Sequence, residues 1–212
     1  MPSELLDTIG IDLVRRLYEF GLYLLFAVIF VRSWMKRGRG ITVRELVFGF
    51  LLSQGVEFLA VGMGRYRYPD WVVYFPPAPA WVPLSIGLGW AALVPNVMRV
   101  SETILGPAAP FWRLALLDGL LGVGVDLVLD PAVSGEPLRM WVWRGEGMYP
   151  YRYWLLDVPV FNFVGWVLLV GACTLQLRLV EKNRTGVDRW KWLGIYLVID
   201  LGVAFAVMLL PW

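Results

Sequence analysis

The sequence predicts an all-α fold, a polytopic membrane helical bundle of about six transmembrane helices behind a short amphipathic N-terminal lead-in. It reads as a single transmembrane domain over residues 1–212. Three observations carry that prediction. Hydrophobic residues make up 58% of the chain and charged residues 17%, with mean hydropathy +0.63, a balance wrong for a soluble enzyme of this length. Six apolar segments are each long enough to cross a hydrocarbon core of roughly 30 Å as a helix. No repeat of fixed period and no low-complexity linker divides the chain.

Taken in order, the lead-in "MPSELLDTIGIDLVRRLYEF" carries acidic residues early. It lacks both a basic n-region and a small-residue cleavage site, so it reads as an amphipathic start and not as a signal peptide. The first span, 17–34, ends in the basic loop "RSWMKRGRG", and the second covers 43–63. The third, 81–99, has Pro83 and Pro95 flanking "LSIGLGWAALV", with Gly87 and Gly89 between them, which predicts a kinked or closely packed helix. The fourth, 111–129, contains "GLLGVG"; with no preceding strand and no following lysine this is packing, not a phosphate loop. It runs into "VDLVLDPAVSGEPLRMWVW", where Pro131 is expected to end the helix. The fifth is 158–178, and the sixth, 191–210, follows the basic loop "RLVEKNRTGVDRWKW".

Lys and Arg set the expected orientation. Twelve of the 19 basic residues fall at the end holding those two basic loops, Arg99 and Arg113. That end is expected to be cytoplasmic, with both termini outside it, in a bacterial or archaeal cytoplasmic membrane. The sequon "NRT" at Asn183 then lies in a cytoplasmic loop and is a chance match. No basic run is long enough to make nucleic acid a partner. Histidine is absent and Cys173 is the single cysteine, so zinc clusters and disulfides are excluded. The expectation is a catalyst without metal or other cofactor, or no catalyst; the oligomeric state is left open.

Within that topology Glu57, the pair Asp126 and Asp130, and then Asp157 with Asn162 all fall at one depth, the outer side. An aspartate at a helix centre costs about 2.5–3.5 kcal/mol to insert, so several together need a reason. Asp126 and Asp130 are one turn apart, about 40° in azimuth, and share a face, with Asp118 about 80° from Asp126 on a broader stripe. The bland alternatives stay open: interface markers at Asp130 and Asp157, an ion pair of Glu57 with Arg65 or Arg67, and interhelical hydrogen bonds at Asp118 and Asp200. The functional alternative follows from desolvation, which favours a neutral carboxyl, and from like charges that resist joint ionisation. Such a pair can protonate a weak base and then activate water, and a proton-coupled transporter would need the same residues. The outer loops are also aromatic, with Tyr66, Tyr68, Trp71, Tyr74 and Trp81, then Trp141, Trp143, Tyr149, Tyr151, Tyr153 and Trp154. An interfacial belt explains many of them. Trp141 and Trp143 follow the aspartate pair closely enough to fold back on it, and aromatic faces stabilise cations where water is scarce.

Four stretches occur in a telling order: "VEFLAVGMGRYRYP", "VPLSIGLGW", "VDLVLDPAV" with "MWVW" after it, and "DVPVFNFVGW". Together they resemble the carotenoid biosynthesis integral membrane family that includes bisanhydrobacterioruberin hydratases and bacterial carotenoid hydratases. The matching positions are Glu57, Gly64, Tyr66 and Tyr68, then Asp130, Pro131, Trp141 and Trp143, then Pro159, Asn162, Phe163, Gly165 and Trp166. The resemblance covers about residues 50 to 170. Two tracts depart from the pattern: "SGEPLR" before the tryptophans and "YPYRYWLLDVP" before Asn162. What the resemblance implies is hydration of the terminal C=C bond of a linear carotenoid or other isoprenoid dissolved in the bilayer. It implies Asp130 or Asp126 as acid, Glu57 as its partner and Asn162 as positioner. Trp141, Trp143, Trp166, Tyr66, Tyr68, Phe163 and Asp157 would contact substrate. The alternatives are an isoprenoid isomerase or cyclase using the same protonation, and a transporter or lipid-binding accessory subunit.

Overall fold

The computed structural model describes residues 2–69, 71–75, 81–143 and 153–209, with side chains from residue 10 onward. Tyr149 and Tyr151 lie outside the described residues. Six helices form in chain order: α1 (Pro2–Arg37), α2 (Arg39–Gly62), α3 (Leu84–Leu105), α4 (Phe111–Ser134), α5 (Val160–Asn183) and α6 (Gly186–Met208). The all-α expectation is met. Three of them, α2, α5 and α6, are long and apolar enough to cross a membrane, as in an integral membrane protein. α4 carries Asp118, Asp126 and Asp130 along its length and so stands apart in composition. Exposed helix faces are apolar: α1 exposes Leu17, Phe20 and Leu24, and α6 exposes Val198, Ile199 and Val203.

Two boundaries differ from expectation. The N-terminal lead-in is not a separate element but the first turns of α1, continuous with the first span. Pro131 does not end α4, which runs on to Ser134. A proline removes the donor to the carbonyl four residues back and crowds it, but only three helical residues follow Pro131, so the disturbance is confined to the last turn.

Helices α1 and α2 are joined by Gly38 alone, at φ 80, a left-handed turn that suits a residue without Cβ. α1 packs on α3 and α2, α2 also on α6, and α4 on α5 and α3. The α4–α5 contact is close because of the "GLLGVG" glycines. A Cβ at Gly119 would lie 2.4 Å from the Val167 carbonyl oxygen, and one at Gly122 would lie 3.0 Å from Val170.

Consecutive helices α1–α2, α3–α4 and α5–α6 turn tightly at one end of the bundle, here the turn end. The longer α2–α3 and α4–α5 connections meet at the other, the loop end, through two-residue strands: β1 (Tyr66–Arg67), β2 (Tyr74–Phe75), β3 (Val82–Pro83), β4 (Val142–Trp143), β5 (Trp154–Leu155) and β6 (Val158–Pro159). The antiparallel β1–β4 pair sets Tyr66 opposite Trp143 and so ties the two connections together.

Candidate functional site

The site lies where that β1–β4 tie roofs the helix ends. Asp126 and Asp130 sit one turn apart on α4 and face inward, 3% and 2% exposed. Asn162, in the first turn of α5, reaches both: its Nδ2 donates to Asp126 Oδ2 and to Asp130 Oδ2, each at 2.7 Å. Trp141 folds back from the α4–α5 connection and donates from Nε1 to Asp130 Oδ1 at 2.6 Å. Asp130 therefore accepts at both oxygens, whereas Asp126 accepts a single hydrogen bond among the described residues.

Glu57, in the last turns of α2, faces the pair from the other side. Its Oε2 accepts from the Tyr66 hydroxyl and from the Tyr68 hydroxyl, the latter at 2.6 Å. An ion pair with Arg65 is not what buries it, because Arg65 donates instead to the Met208 carbonyl at the end of α6. Burial, then the adjacent Glu57 carboxyl, hold the Tyr68 phenol well above its usual range, so it stays a donor. Tyr66 meets Trp143 edge-on at 4.8 Å between ring centroids, and Tyr68 meets Trp141 at 6.2 Å. The result is an aromatic box around three carboxyls.

These groups line a cavity of about 220 Å³ whose remaining wall, apart from Asn96, is mostly apolar and aromatic, with Tyr18 and Leu22 from α1 and Trp90 from α3. Trp90 stacks on Trp166 at 4.1 Å and 19°. A smaller cavity of about 80 Å³ lies beyond Glu57, Asn162 and Trp166, between α5 and α6. Among the described residues no group of three or more His, Cys, Asp and Glu side chains is placed to hold a metal ion.

Of the sequence candidates, Glu57, Asp126, Asp130, Asn162, Tyr66, Tyr68, Trp141, Trp143 and Trp166 all line the larger cavity. Two candidates do not join them. Phe163 is buried, but one position after Asn162 it points about 100° away and lines neither cavity. Asp157 is exposed, at φ 61 beside Leu156 at φ 53, in the two-residue turn between β5 and β6. Positive φ at both turn positions is the geometry of a tight hairpin, and aspartate tolerates it; turn chemistry accounts for that residue. Asp118 and Asp200 line neither cavity; the first pairs with Arg178 and the second accepts from Gln176 at 2.8 Å.

Sequence reasoning missed the contribution of α1. Glu19, 3% exposed, accepts from the backbone N–H groups of Val72 and Val73 at 2.9 and 3.1 Å. Arg15 donates to the Leu138 carbonyl at 2.7 Å. One helix thus pins both roof segments, and Trp71 links them by donating to the Met140 carbonyl at 2.6 Å. A lone acid inside an apolar run, as at Glu19, is the signal that could have found it.

Residues 19–211 match the model of a family described as carotenoid biosynthesis protein. Comparison with curated proteins and with solved structures returned no match. The matched segment takes in α2 to α6 and the second half of α1, with every cavity-lining residue except Tyr18, so the chain belongs to the carotenoid biosynthesis protein family.

Proposed function

We propose that this member of the family is an enzyme that hydrates the terminal C=C bond of a linear carotenoid. The observation that carries the reading is the Asp126–Asn162–Asp130 bridge. Two buried carboxyls are held by one amide on the wall of an otherwise apolar, tryptophan-lined cavity.

The chemistry follows from which oxygens are committed. Asp130, held at both oxygens by Asn162 and Trp141, is the fixed member of the pair. Asp126 in its acid form is free to deliver the proton. Transfer to the less substituted alkene carbon leaves a tertiary cation on the other. The Tyr66, Tyr68, Trp141 and Trp143 rings surround that charge where bulk water is excluded. Water adds through oxygen to the cation and gives its extra proton back to Asp126, which resets the acid and leaves a tertiary alcohol. Glu57, oriented by two phenols, holds the aromatic wall and the water on that face. A hydrocarbon substrate reaches such a site only through the bilayer, which fits a cavity walled by lipid-embedded helices. The site then lies near the outer side of the membrane.

Expression in a bacterial strain that accumulates lycopene tests the reading, with pigments resolved by chromatography and mass spectrometry. The expected result is a new pigment heavier by one water, absent when Asp126→Asn or Asp130→Asn replaces the wild type. A product of unchanged mass would mean isomerisation or cyclisation instead. Unaltered lycopene beside protein folded in the membrane would overturn the assignment.

A further inference from the structure

We propose that the cavity continues away from the carboxyls as a groove along α3 that holds the unreacted arm of the same linear isoprenoid, parallel to the helices and open sideways to lipid between α1 and α4. This inference takes from the reading above only the identity of the reacting end.

The floor is one face of α3. Ile86, Gly89, Leu93 and Asn96 all line the cavity, at spacings of three and four residues that put them in a row. Ten residues of helix make that row about 15 Å long. Leu25 on α1 and Val125 on α4 form its two rims. Both line the cavity, yet they are 48% and 45% exposed, so the groove opens between them. The packing explains the gap: α1 leans on α3 and α2, α4 leans on α5 and α3, and α3 lies between them as the floor. In a bilayer that opening faces hydrocarbon.

The lining selects the occupant. Asn96 is the one polar side chain in the row, and its Nδ2 already donates one hydrogen bond to the Ala92 carbonyl at 2.8 Å. Nothing else along the arm rewards a headgroup or a sugar. A straight apolar chain fits, and a conjugated polyene fits at lower cost than a saturated acyl chain, because it has few rotamers to lose on confinement. At Gly89 the floor carries no side chain. A Cβ there would lie 3.5 Å from Leu22 Cδ2, so any longer side chain would fill the space between α3 and α1. The groove thus contacts the arm beyond the end group as well as the end group itself.

The test uses purified full-length protein in detergent micelles, as wild type, Gly89→Leu and the rim variant Leu25→Trp. Two probes are compared: lycopene, and dihydromyrcene, a short acyclic terpene with the same isopropylidene end. Lycopene retained per protein after gel filtration is read from its visible absorbance, and hydration of each probe is read by mass. Gly89→Leu and Leu25→Trp are expected to lower retained lycopene about tenfold or more, since even one added methylene in a filled apolar pocket carries an effect of that order. Hydration should shift by a similar factor in favour of dihydromyrcene. Wild-type protein that retains no lycopene, or variants that elute folded and retain it like the wild type, would overturn the groove. Equal loss of both probes in both variants would do so too. Retained lycopene that falls in the variants, with no hydration of either probe by any form, supports the groove and removes the hydration reading instead.

Discussion

At Asn162 a single amide nitrogen serves two carboxyls from consecutive turns of α4. Removing it leaves both acids buried without that donor and free to reorient. Asn162→Ala should therefore cut lycopene hydration about a hundredfold or more, in the range expected for losing a positioned acid. Trp141→Phe keeps the ring but deletes the N–H that Asp130 Oδ1 accepts, and should cost about tenfold, the worth of one buried charge-assisted bond. The product-to-lycopene ratio in membranes with matched protein levels measures both, and a Trp141→Phe protein weaker than Asn162→Ala would break the ranking. The acids were legible in the sequence because a carboxylate in an apolar run is costly enough to stand out. The tyrosine and tryptophan partners on α1 and α3 were not. Tyr18 and Trp90 look like ordinary core until the fold shows which face they share. Asp157 is a case of the opposite kind: its neighbourhood in the sequence is that of the site, but the fold sets it in an exposed turn away from the cavity.

At the scale of elements, α4 and α5 carry the whole Asp126–Asn162–Asp130 bridge, so their separation governs it. That separation is set by glycine. A Cβ at Gly119 would meet the Val167 carbonyl oxygen at 2.4 Å, a backbone atom that cannot swing aside. At Gly124, five residues on, nothing lies within 4 Å of the same construction. Gly119→Ala should therefore destabilise the protein by about 1–3 kcal/mol as an overpacked contact. Gly124→Ala should be neutral or stabilising by up to about 1 kcal/mol, the helix propensity difference. Thermal unfolding in detergent compares them, and equal shifts would mean that α4 does not pack as described. The six helices were legible as apolar runs, three of them, α2, α5 and α6, long and apolar enough to cross a membrane. Their ends were less so, since Pro131 reads as a stop and sits inside the last turn of α4. The two-residue strands could not be read from sequence, because a pair such as Tyr66–Trp143 depends on two connections meeting, not on either one alone.

Across the whole molecule the buried charge falls in two layers with different jobs. The loop end holds the three cavity carboxyls, and Glu19 beside them, with neutral donors around them. Toward the turn end three acids are paired with arginine: Arg44 with Glu181, Arg37 with Glu45 at 2.7 Å, and Arg178 with Asp118. Arg178 also donates to Ser101 Oγ at 3.2 Å and lies 3.5 Å from Glu102, tying α5 to α3 and α4 at once. Asp118 is eight residues from Asp126 along α4, about 12 Å, so this layer holds the helices together without touching the cavity. Removing one partner of such a pair leaves an uncompensated buried charge, whereas removing both leaves apolar packing. Arg178→Leu alone should then cost about 3–5 kcal/mol, and Arg178→Leu with Asp118→Leu should recover most of it. Ser101 keeps its own acceptor in the double variant, the Met98 carbonyl at 3.0 Å, so no new orphan is made there. Unfolding temperature in micelles and lycopene hydration, read on the same three proteins, separate the layers. A double variant that regains stability and hydrates like the wild type assigns the turn end to structure alone. One that regains stability yet makes no product would mean that the two layers are coupled through α4, and the division of labour argued from their chemistry would fall.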